Sequence, residues 1–517
     1  MLGSKENMTG QIFSGDRNVN IGEMQVRAAQ AATGLESLGL EPGDAIAFFM
    51  RNDFPLFEAA GAAGLLGLYA VPTNWHYGPE EAEYVFNDCG AKALLIHADL
   101  LAKVADAIPD HITVLVSETP PEIAATYGLT PDQCAIPDGY LCWQDWLAGF
   151  EPMAPRDVTP PGAMIYTSGT TGLPKGVRRT PANPKETEAM QAVINTAFDL
   201  KPGKRTIIPA PMYHSAPNAY SGYSIAFGLD EIVLMPRFDP EELLQLIEKH
   251  KTTHLQVVPT MFVRLLKLPK EVREKYDLSS LEFVVHAAAP CPPDVKEAMI
   301  EWWGPIINEF YGSTETGSVV FCNSADWLAH RGTVGKAMDG VELRILDDDG
   351  SDQPVGIPGD VYCRITNGPD FTYNGDDEKR KRAERMGLIA PGDIGFLDED
   401  GFLHLCDRRN DMVISGGVNI YPAEIENCLM SHPEIHDCAV FGIPDADFGE
   451  ALCACIRLED GAIIDDGDVK AHVKEHLAGY KVPKVVEFMD ELPREDSGKI
   501  FKRKLKEPYW ADQEKRI

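Results

Sequence analysis

Positive charge is scarce in this chain: 47 lysines and arginines stand against 80 aspartates and glutamates, a formal net charge of −33. That deficit excludes nucleic acid and anionic membrane as general partners, because both are held by basic side chains that neutralise phosphate. A phosphate ligand must instead be met by a local cation or by backbone N–H groups. Paired cysteines are missing too. The 11 cysteines are scattered without a C-x-x-C pair, and their number and spacing argue against a disulfide framework or a zinc site. Cys453 and Cys455 alternate within Ala-Leu-Cys-Ala-Cys-Ile, a strand pattern that packing explains. No charged-then-apolar leader opens the sequence, so a cytoplasmic location is expected. No stretch reads as membrane-spanning. Ala59 to Val71 is glycine-rich and short, while Ile207 to Leu229 is interrupted by Pro209, Pro211, Pro217, His214 and Asn218 and reads as a buried wall. Internal repeats and low-complexity segments are absent.

What is present is a run of hydroxyls and glycines around one lysine, Tyr166-Thr-Ser-Gly-Thr-Thr-Gly-Leu-Pro-Lys-Gly176. Gly169, Gly172 and Gly176 let the backbone approach an anion closely, Thr167, Ser168, Thr170 and Thr171 offer donors, and Lys175 supplies the charge. This is phosphate chemistry, but Lys175 lies between Pro174 and Gly176, so the Gly-Lys-Ser/Thr of a Walker loop is missing. On its own such a stretch is more often a turn than a ligand loop.

At 517 residues the chain exceeds the usual single-core size of about 250–300 residues, so at least two domains are expected. Helical periodicity over Met24 to Leu38 and Phe54 to Leu68 alternates with short apolar runs at Ala45 to Phe49 and Ala93 to Ile96, an α/β beginning with parallel sheet. Strands that deliver loops are predicted at His254 to Pro259, Glu282 to Ala288 and Pro305 to Phe310. From Gly340 the pattern turns to strands, Val341 to Leu346 and Gly359 to Ile365, as in a β-rich subdomain. A small α+β part follows, with helices at Glu424 to Leu429 and Val469 to Leu477 and strands at Cys438 to Gly442 and Ala451 to Arg457. Lys379-Arg-Lys-Arg382, flanked by acids, reads as a solvated helix face.

Further motifs follow the phosphate loop in order: Tyr311-Gly-Ser-Thr-Glu-Thr-Gly317, Gly392-Asp-Ile-Gly-Phe-Leu-Asp398, the segment Asp407 to Glu426, and Pro493-Arg-Glu-Asp-Ser-Gly-Lys-Ile500. Together they resemble the adenylate-forming superfamily of acyl-CoA synthetases, firefly luciferases and peptide-synthetase adenylation domains, from about Gly22 to Leu505. The resemblance implies an N-terminal ATP- and acyl-binding domain over residues 1–409 and a mobile catalytic C-terminal domain over 410–517, with a hinge at Asn410, where relatives usually carry aspartate or lysine. It also implies ATP, Mg²⁺ and CoA as cofactor and cosubstrates. Residues Thr167 to Lys175 would hold the β- and γ-phosphates. Tyr311 would stack on adenine, within the Gly312-Ser313 turn; Thr314 would meet the α-phosphate and Glu315 would hold Mg²⁺, a hard cation that takes oxygen ligands. Asp393 and Arg408 would bind the ribose. His286-Ala-Ala-Ala-Pro290 would line the adenine and acyl site through Ala288 and Ala289, with Ala287 where many relatives carry glycine. His214 would lie beside the substrate carboxylate, Lys499 would act in adenylation, and Ser415, Gly416 and Gly417 would line the pantetheine channel.

The reaction so implied is activation of a hydrophobic carboxylic acid, a medium- or long-chain fatty acid or another bulky apolar acid, to acyl-AMP and then acyl-CoA. Tyr213, Tyr220, Tyr223, Phe227 and alanines 287 to 289 suggest the apolar pocket, and Ala-Ala-Pro-Cys-Pro with Glu-Trp-Trp-Gly304 resembles bacterial synthetases of fatty or steroid-derived acids. No acid lies between Asp199 and Asp230 to meet a substrate ammonium, which disfavours amino-acid activation. The short stretch after Lys499 disfavours a peptide-synthetase module, so a carrier domain is not expected. The alternatives are an aryl-acid CoA ligase, an acyl-AMP ligase loading a separate carrier protein, or a non-enzymatic nucleotide sensor. A homodimer is the default assembly.

Overall fold

Capping starts the first long helix where the apolar periodicity begins. Asn20 accepts from the Gly22 N–H and Glu23 reaches back to the Asn20 N–H, so Ile21–Ser37 opens with a capping box and buries Ile21, Met24, Ala28, Ala31, Ala32 and Leu35 on one face. Asp53 caps the next helix, Phe54–Leu66, its carboxylate accepting the Phe54 N–H. The computed structural model describes residues 9–167, 174–494 and 500–511. The chain divides into two compact units, the first of Met1–Arg331, Gly335–Glu342 and Cys363–Ile389, the second of Gly332–Val334, Leu343–Tyr362 and Ala390–Ile517.

In the first unit a parallel sheet runs in the order Tyr69–Pro72, Ala45–Phe49, Ala91–His97, Thr113–Ser117, Leu141–Cys142. Every residue of Ala45–Phe49 is buried, as expected of a strand covered on both faces. A larger sheet has parallel strands Arg205–Ile208, Glu231–Leu234, His254–Val257, Phe283–His286 and Ile307–Ser313, followed by antiparallel Gly317–Cys322. Loops at the carboxyl ends of such strands are where open α/β sheets build their sites. A small antiparallel sheet joins Ile165–Thr167, Lys175–Arg179 and Phe371–Tyr373.

In the second unit Asp393–Leu397 pairs with Leu403–Arg408, and Gly359 and Asp360 pair along the other edge of that ribbon. The C-terminal sheet packs Val413–Ser415 and Ile435–Asp445 against the long strand Gly449–Leu458, with Val485–Phe488 parallel to it. Helices Pro422–Met430 and Asp466–His476 cover one face through Ile425, Leu429, Val469 and Val473; Cys453 and Cys455 face the opposite core with Phe441 and Leu505.

The architecture is the expected one: a mixed α/β part, a β-rich segment and a smaller α+β part. Residues Ile207 to Leu229 resolve into a strand end and the helix Ser215–Ala226, and no helix among the described residues is long and apolar enough to cross a membrane. The basic run departs from its predicted solvated face. Arg380 in Asp377–Arg382 is buried, donating to Asp370 at 2.8 Å, Glu384 at 2.6 Å and the Phe371 carbonyl at 3.0 Å. A planar guanidinium can satisfy all these acceptors at once, which sequence acidity alone does not reveal.

Candidate active site

Of the phosphate loop, Thr167 and Lys175 are described and stand opposite each other in antiparallel register, with Thr167 Oγ1 donating to the Lys175 carbonyl at 3.4 Å. Ser168, Gly169, Thr170, Thr171 and Gly172 lie outside the described residues. Lys175 Nζ is 3.6 Å from Asp376, whose carboxyl is held below the usual range by the Lys379 N–H and the Lys175 charge.

The strand Lys175–Arg179 ends in a side chain that reaches the next motif. Arg179 Nη2 donates to the carbonyls of Thr314 at 2.6 Å and Glu315 at 3.0 Å. Burial pushes the guanidinium pKa down, against the pull of Glu315. The clamped segment is a tight turn between Ile307–Ser313 and Gly317–Cys322. Ser313 N–H donates to Thr316 Oγ1 at 3.1 Å and Thr316 N–H to Ser313 Oγ at 3.1 Å, a reciprocal lock. Gly312 is obligatory here: a Cβ would stand 1.9 Å from the Gly317 carbonyl oxygen. Tyr311 is buried on the same strand.

The turn presents two side chains with defined partners. Thr314 Oγ1 lies 2.8 Å from Ser215 Oγ, the first residue of Ser215–Ala226, and His214 caps that helix position with its ring centroid 4.3 Å from that of Tyr213. Thus His214 and Thr314, far apart in sequence, are drawn together through Ser215. Glu315 Oε1 accepts the Tyr373 hydroxyl at 2.9 Å. Lys379 Nζ sits 4.0 Å above the Tyr373 ring, and burial holds its pKa below the usual lysine range despite Glu315 nearby. Glu315 offers a carboxylate and the adjacent Thr314 a hydroxyl, oxygen donors of the kind Mg²⁺ takes.

The alanine loop follows Phe283–His286. Its strain falls at Ala288, where φ is +75°, a left-handed value that favours glycine, whereas Ala287 is buried with ordinary φ. The aromatic pocket residues divide. Tyr213 packs in the core of the first parallel sheet, and Tyr220 is buried with its hydroxyl 2.9 Å from Thr206 Oγ1, while Tyr223 and Phe227, 6.1 Å apart between ring centroids, are only half-buried.

In the second unit Asp393 and Arg408 are directly paired across the ribbon, and Arg408 Nε lies 2.9 Å from Asp393 Oδ1. Asn410 sits in the following turn with ordinary φ, so the left-handed freedom of asparagine is not used there. Gly416 and Gly417, with φ of +56° and +80°, form the two-residue turn joining Val413–Ser415 to Val418–Ile420, a hairpin geometry that itself demands glycine. The glycines thus have a backbone reason apart from any ligand. Lys499 lies outside the described residues; on either side of it Arg494 bridges Ile500 and Phe501 N–H donates to the Pro493 carbonyl at 2.7 Å. Beyond it, Lys502 pairs with Glu426 at 2.7 Å; burial alone would lower its pKa, but Glu426, Asp407 and Asp411 raise it.

Four residues of this arrangement escaped the sequence reading: Arg179, Ser215, Tyr373 and Lys379. Arg179 carried no distinguishing signal, since it closes a strand, Lys175–Arg179, that already holds Lys175 and Arg178. Tyr373 carried none, since 58 positions separate it from Glu315.

Comparison with known proteins bears on this geometry. A family model described as AMP-binding enzyme matches residues 4–368, and one described as AMP-binding enzyme C-terminal domain matches 424–499. A feruloyl-CoA synthase from Amycolatopsis sp is 33% identical over 487 residues, spanning 94% of this chain and 92% of its own. ATP-bound MatB from Rhodopseudomonas palustris superposes with a TM-score of 0.82 at 28% identity, covering 98% of this chain and 96% of its own. The anthranilate CoA ligase AuaEII in complex with anthranoyl-AMP gives a TM-score of 0.82 at 27% identity over 97% and 94% of the two chains.

Proposed function

We propose, from the premise that this chain belongs to the AMP-binding enzyme family and is an AMP-forming acid–thiol ligase, that its substrate is an aromatic or other compact carboxylic acid and its acceptor thiol is CoA. The observation that carries the reading is the Tyr311–Thr316 turn, clamped by Arg179 from the phosphate strand and tied by Thr314 to the His214–Ser215 helix start. Phosphate-binding and carboxylate-binding elements are thereby held on one rigid scaffold, as an adenylation site requires.

In the first half-reaction a carboxylate oxygen attacks the α-phosphorus of ATP, the bond to pyrophosphate breaks, and acyl-AMP remains. Thr314 donates to the α-phosphate, His214 orients the carboxylate, and Lys499 bridges the two, neutralising charge as it develops. Glu315 would hold Mg²⁺, which when bound would offset phosphate charge. Asp393 and Arg408 take the ribose hydroxyls, an aspartate having two oxygens for a diol. In the second half-reaction the CoA sulfur attacks the acyl carbon, its proton passes to solvent, and AMP leaves with the bonding pair. We place the boundary of the domain carrying Lys499 between residues 409 and 410.

Two considerations favour a compact acid over the fatty acid expected from sequence. Relatives spanning nearly the whole chain bear the names of feruloyl- and anthranilate-activating enzymes. Tyr213 and Tyr220 belong to packed cores, while Tyr223, whose hydroxyl feels the Arg179 charge, gives an aromatic wall with a polar end. Such a wall suits a substituted ring better than a long alkyl chain.

The test is pyrophosphate release and thioester formation with ATP, Mg²⁺ and CoA across hydroxycinnamic, aminobenzoic, short dicarboxylic and fatty acids. Higher kcat/KM for the aromatic or compact acids is expected. A preference for fatty acids of medium or long chain would overturn the substrate reading, and pyrophosphate release with no CoA thioester would overturn the acceptor.

A further inference from the structure

Spacing along the chain gives no zinc signature, yet folding gathers a cysteine and histidines where two helices of the second unit pack together. Cys428 lies on Pro422–Met430, and His472 and His476, one turn apart, lie on Asp466–His476. One potential ligand atom from each of the three falls within 4.8 Å of the others. We propose that Cys428, His472 and His476 form a site for a borderline-soft divalent transition metal, Zn²⁺ being the natural occupant, separate from the nucleotide-binding elements.

Two of the ring nitrogens are held by backbone carbonyls. His476 Nδ1 is 2.8 Å from the His472 carbonyl oxygen, and His472 Nε2 is 3.0 Å from the Cys428 carbonyl oxygen. A carbonyl only accepts, so each of those nitrogens carries the proton and the other nitrogen of each ring keeps its lone pair. An N–H donated to a backbone carbonyl is the usual outer support of a metal-bound histidine, fixing its tautomer and raising its basicity. Ser431 Oγ, 3.3 Å from His472 Nε2, adds to that support.

Metal–ligand bonds of about 2.0–2.3 Å place tetrahedral ligands about 3.3–3.8 Å apart, so modest side-chain rotation closes the present cluster. Cys428 and His472 are half-buried and His476 is exposed, which leaves an entry path. One thiolate and two imidazoles disfavour Mg²⁺ and Ca²⁺, which take oxygen, and suit Zn²⁺. The Cys428 thiol gives up its proton as the metal–sulfur bond forms.

His432 is the neighbour that completes the cluster without joining it. Its ring meets that of His472 edge to face at 4.9 Å, but its Nδ1 accepts the Glu434 N–H at 3.2 Å, which puts the ring proton on Nε2. The fourth position therefore falls to water, and the bound metal ties together two helices that share a core.

The experiment uses full-length protein without a histidine tag, stripped with chelator and titrated with Zn²⁺, and with Co²⁺ as a spectroscopic probe. One Zn²⁺ per chain is expected, with a raised melting temperature and, for Co²⁺, a sulfur-to-metal charge-transfer band. Cys428→Ser should abolish that band, and His476→Ala, an exposed change with little effect on folding, should weaken Zn²⁺ binding by at least about tenfold. Mg²⁺-dependent pyrophosphate release should continue in both variants. Absence of stoichiometric Zn²⁺ binding, or Zn²⁺ binding as tight as wild type in both His476→Ala and Cys428→Ser, would overturn the proposal while leaving the ligase reading untouched.

Discussion

The hydroxyls of Ser215 and Thr314 meet at 2.8 Å, joining the start of one helix to the glycine turn of a strand 99 positions later. This contact fixes the Thr314 side chain in one direction. Ser215→Ala should lower kcat/KM for acyl-AMP formation by roughly tenfold, the scale of one lost positioning hydrogen bond, with the melting temperature little changed. Thr314→Val should cost more, because it removes the donor itself. Wild-type pyrophosphate release in Ser215→Ala would dismiss the contact as incidental.

Lys499→Ala should lower adenylation by roughly two to three orders of magnitude, as expected for loss of a preorganised electrostatic contact. Thioester formation from supplied acyl-adenylate and CoA should fall far less. Measuring the two half-reactions separately is decisive, since equal losses in both contradict a role confined to the first.

Asn410→Pro should spare pyrophosphate release and suppress CoA thioester formation. Asn410 lies in the turn after Arg408, whose carbonyl accepts from Asp411 N–H at 3.0 Å and Met412 N–H at 3.1 Å, and proline would freeze φ there. Single-turnover assays of both products test this. Retained thioester synthesis would place the hinge elsewhere.

Acid should destabilise the fold through His286. Its ring is fully buried, and burial together with Lys296 holds its pKa well below the usual histidine value. The unfolded chain titrates near about 6.5, so below that pH it binds a proton that the native state refuses. Stability from this group is present above about pH 6.5 and declines as pH falls towards the folded pKa, by at most about 1.4 kcal/mol per pH unit. Glu309, whose pKa burial raises, acts in the opposite sense, and its carboxylate lies 3.6 Å from His286 Nε2. Urea unfolding at about pH 7.5 and about pH 5 should therefore give a shallower acid loss for His286→Gln than for wild type. Equal pH slopes would refute this.

Which parts of the site could be read in advance follows from how locally each is specified. The Tyr311–Gly317 turn was legible because Gly312 has no alternative: backbone stands where its Cβ would be. Gly416 and Gly417 were legible as glycines, but a hairpin and a ligand channel ask for the same residue, and sequence does not separate the reasons. Ala288 shows the converse, an alanine held at a glycine-like φ of +75°. The tyrosines of Ser215–Ala226 were assigned together to one pocket, although Tyr220 is fully buried with its hydroxyl on Thr206 and Tyr223 is only half-buried.

The sequence by itself determined the family, the α/β and α+β parts, and the order of the nucleotide-binding motifs, because glycine, proline and capping residues act on their own backbone within a few positions. Tertiary structure alone decided the partnerships: Arg179 beneath the turn, Ser215 against Thr314, Tyr373 on Glu315, and Cys428 beside His472 and His476. Those contacts join side chains from separate elements, whose meeting is set by packing and strand register rather than by any local preference of the chain.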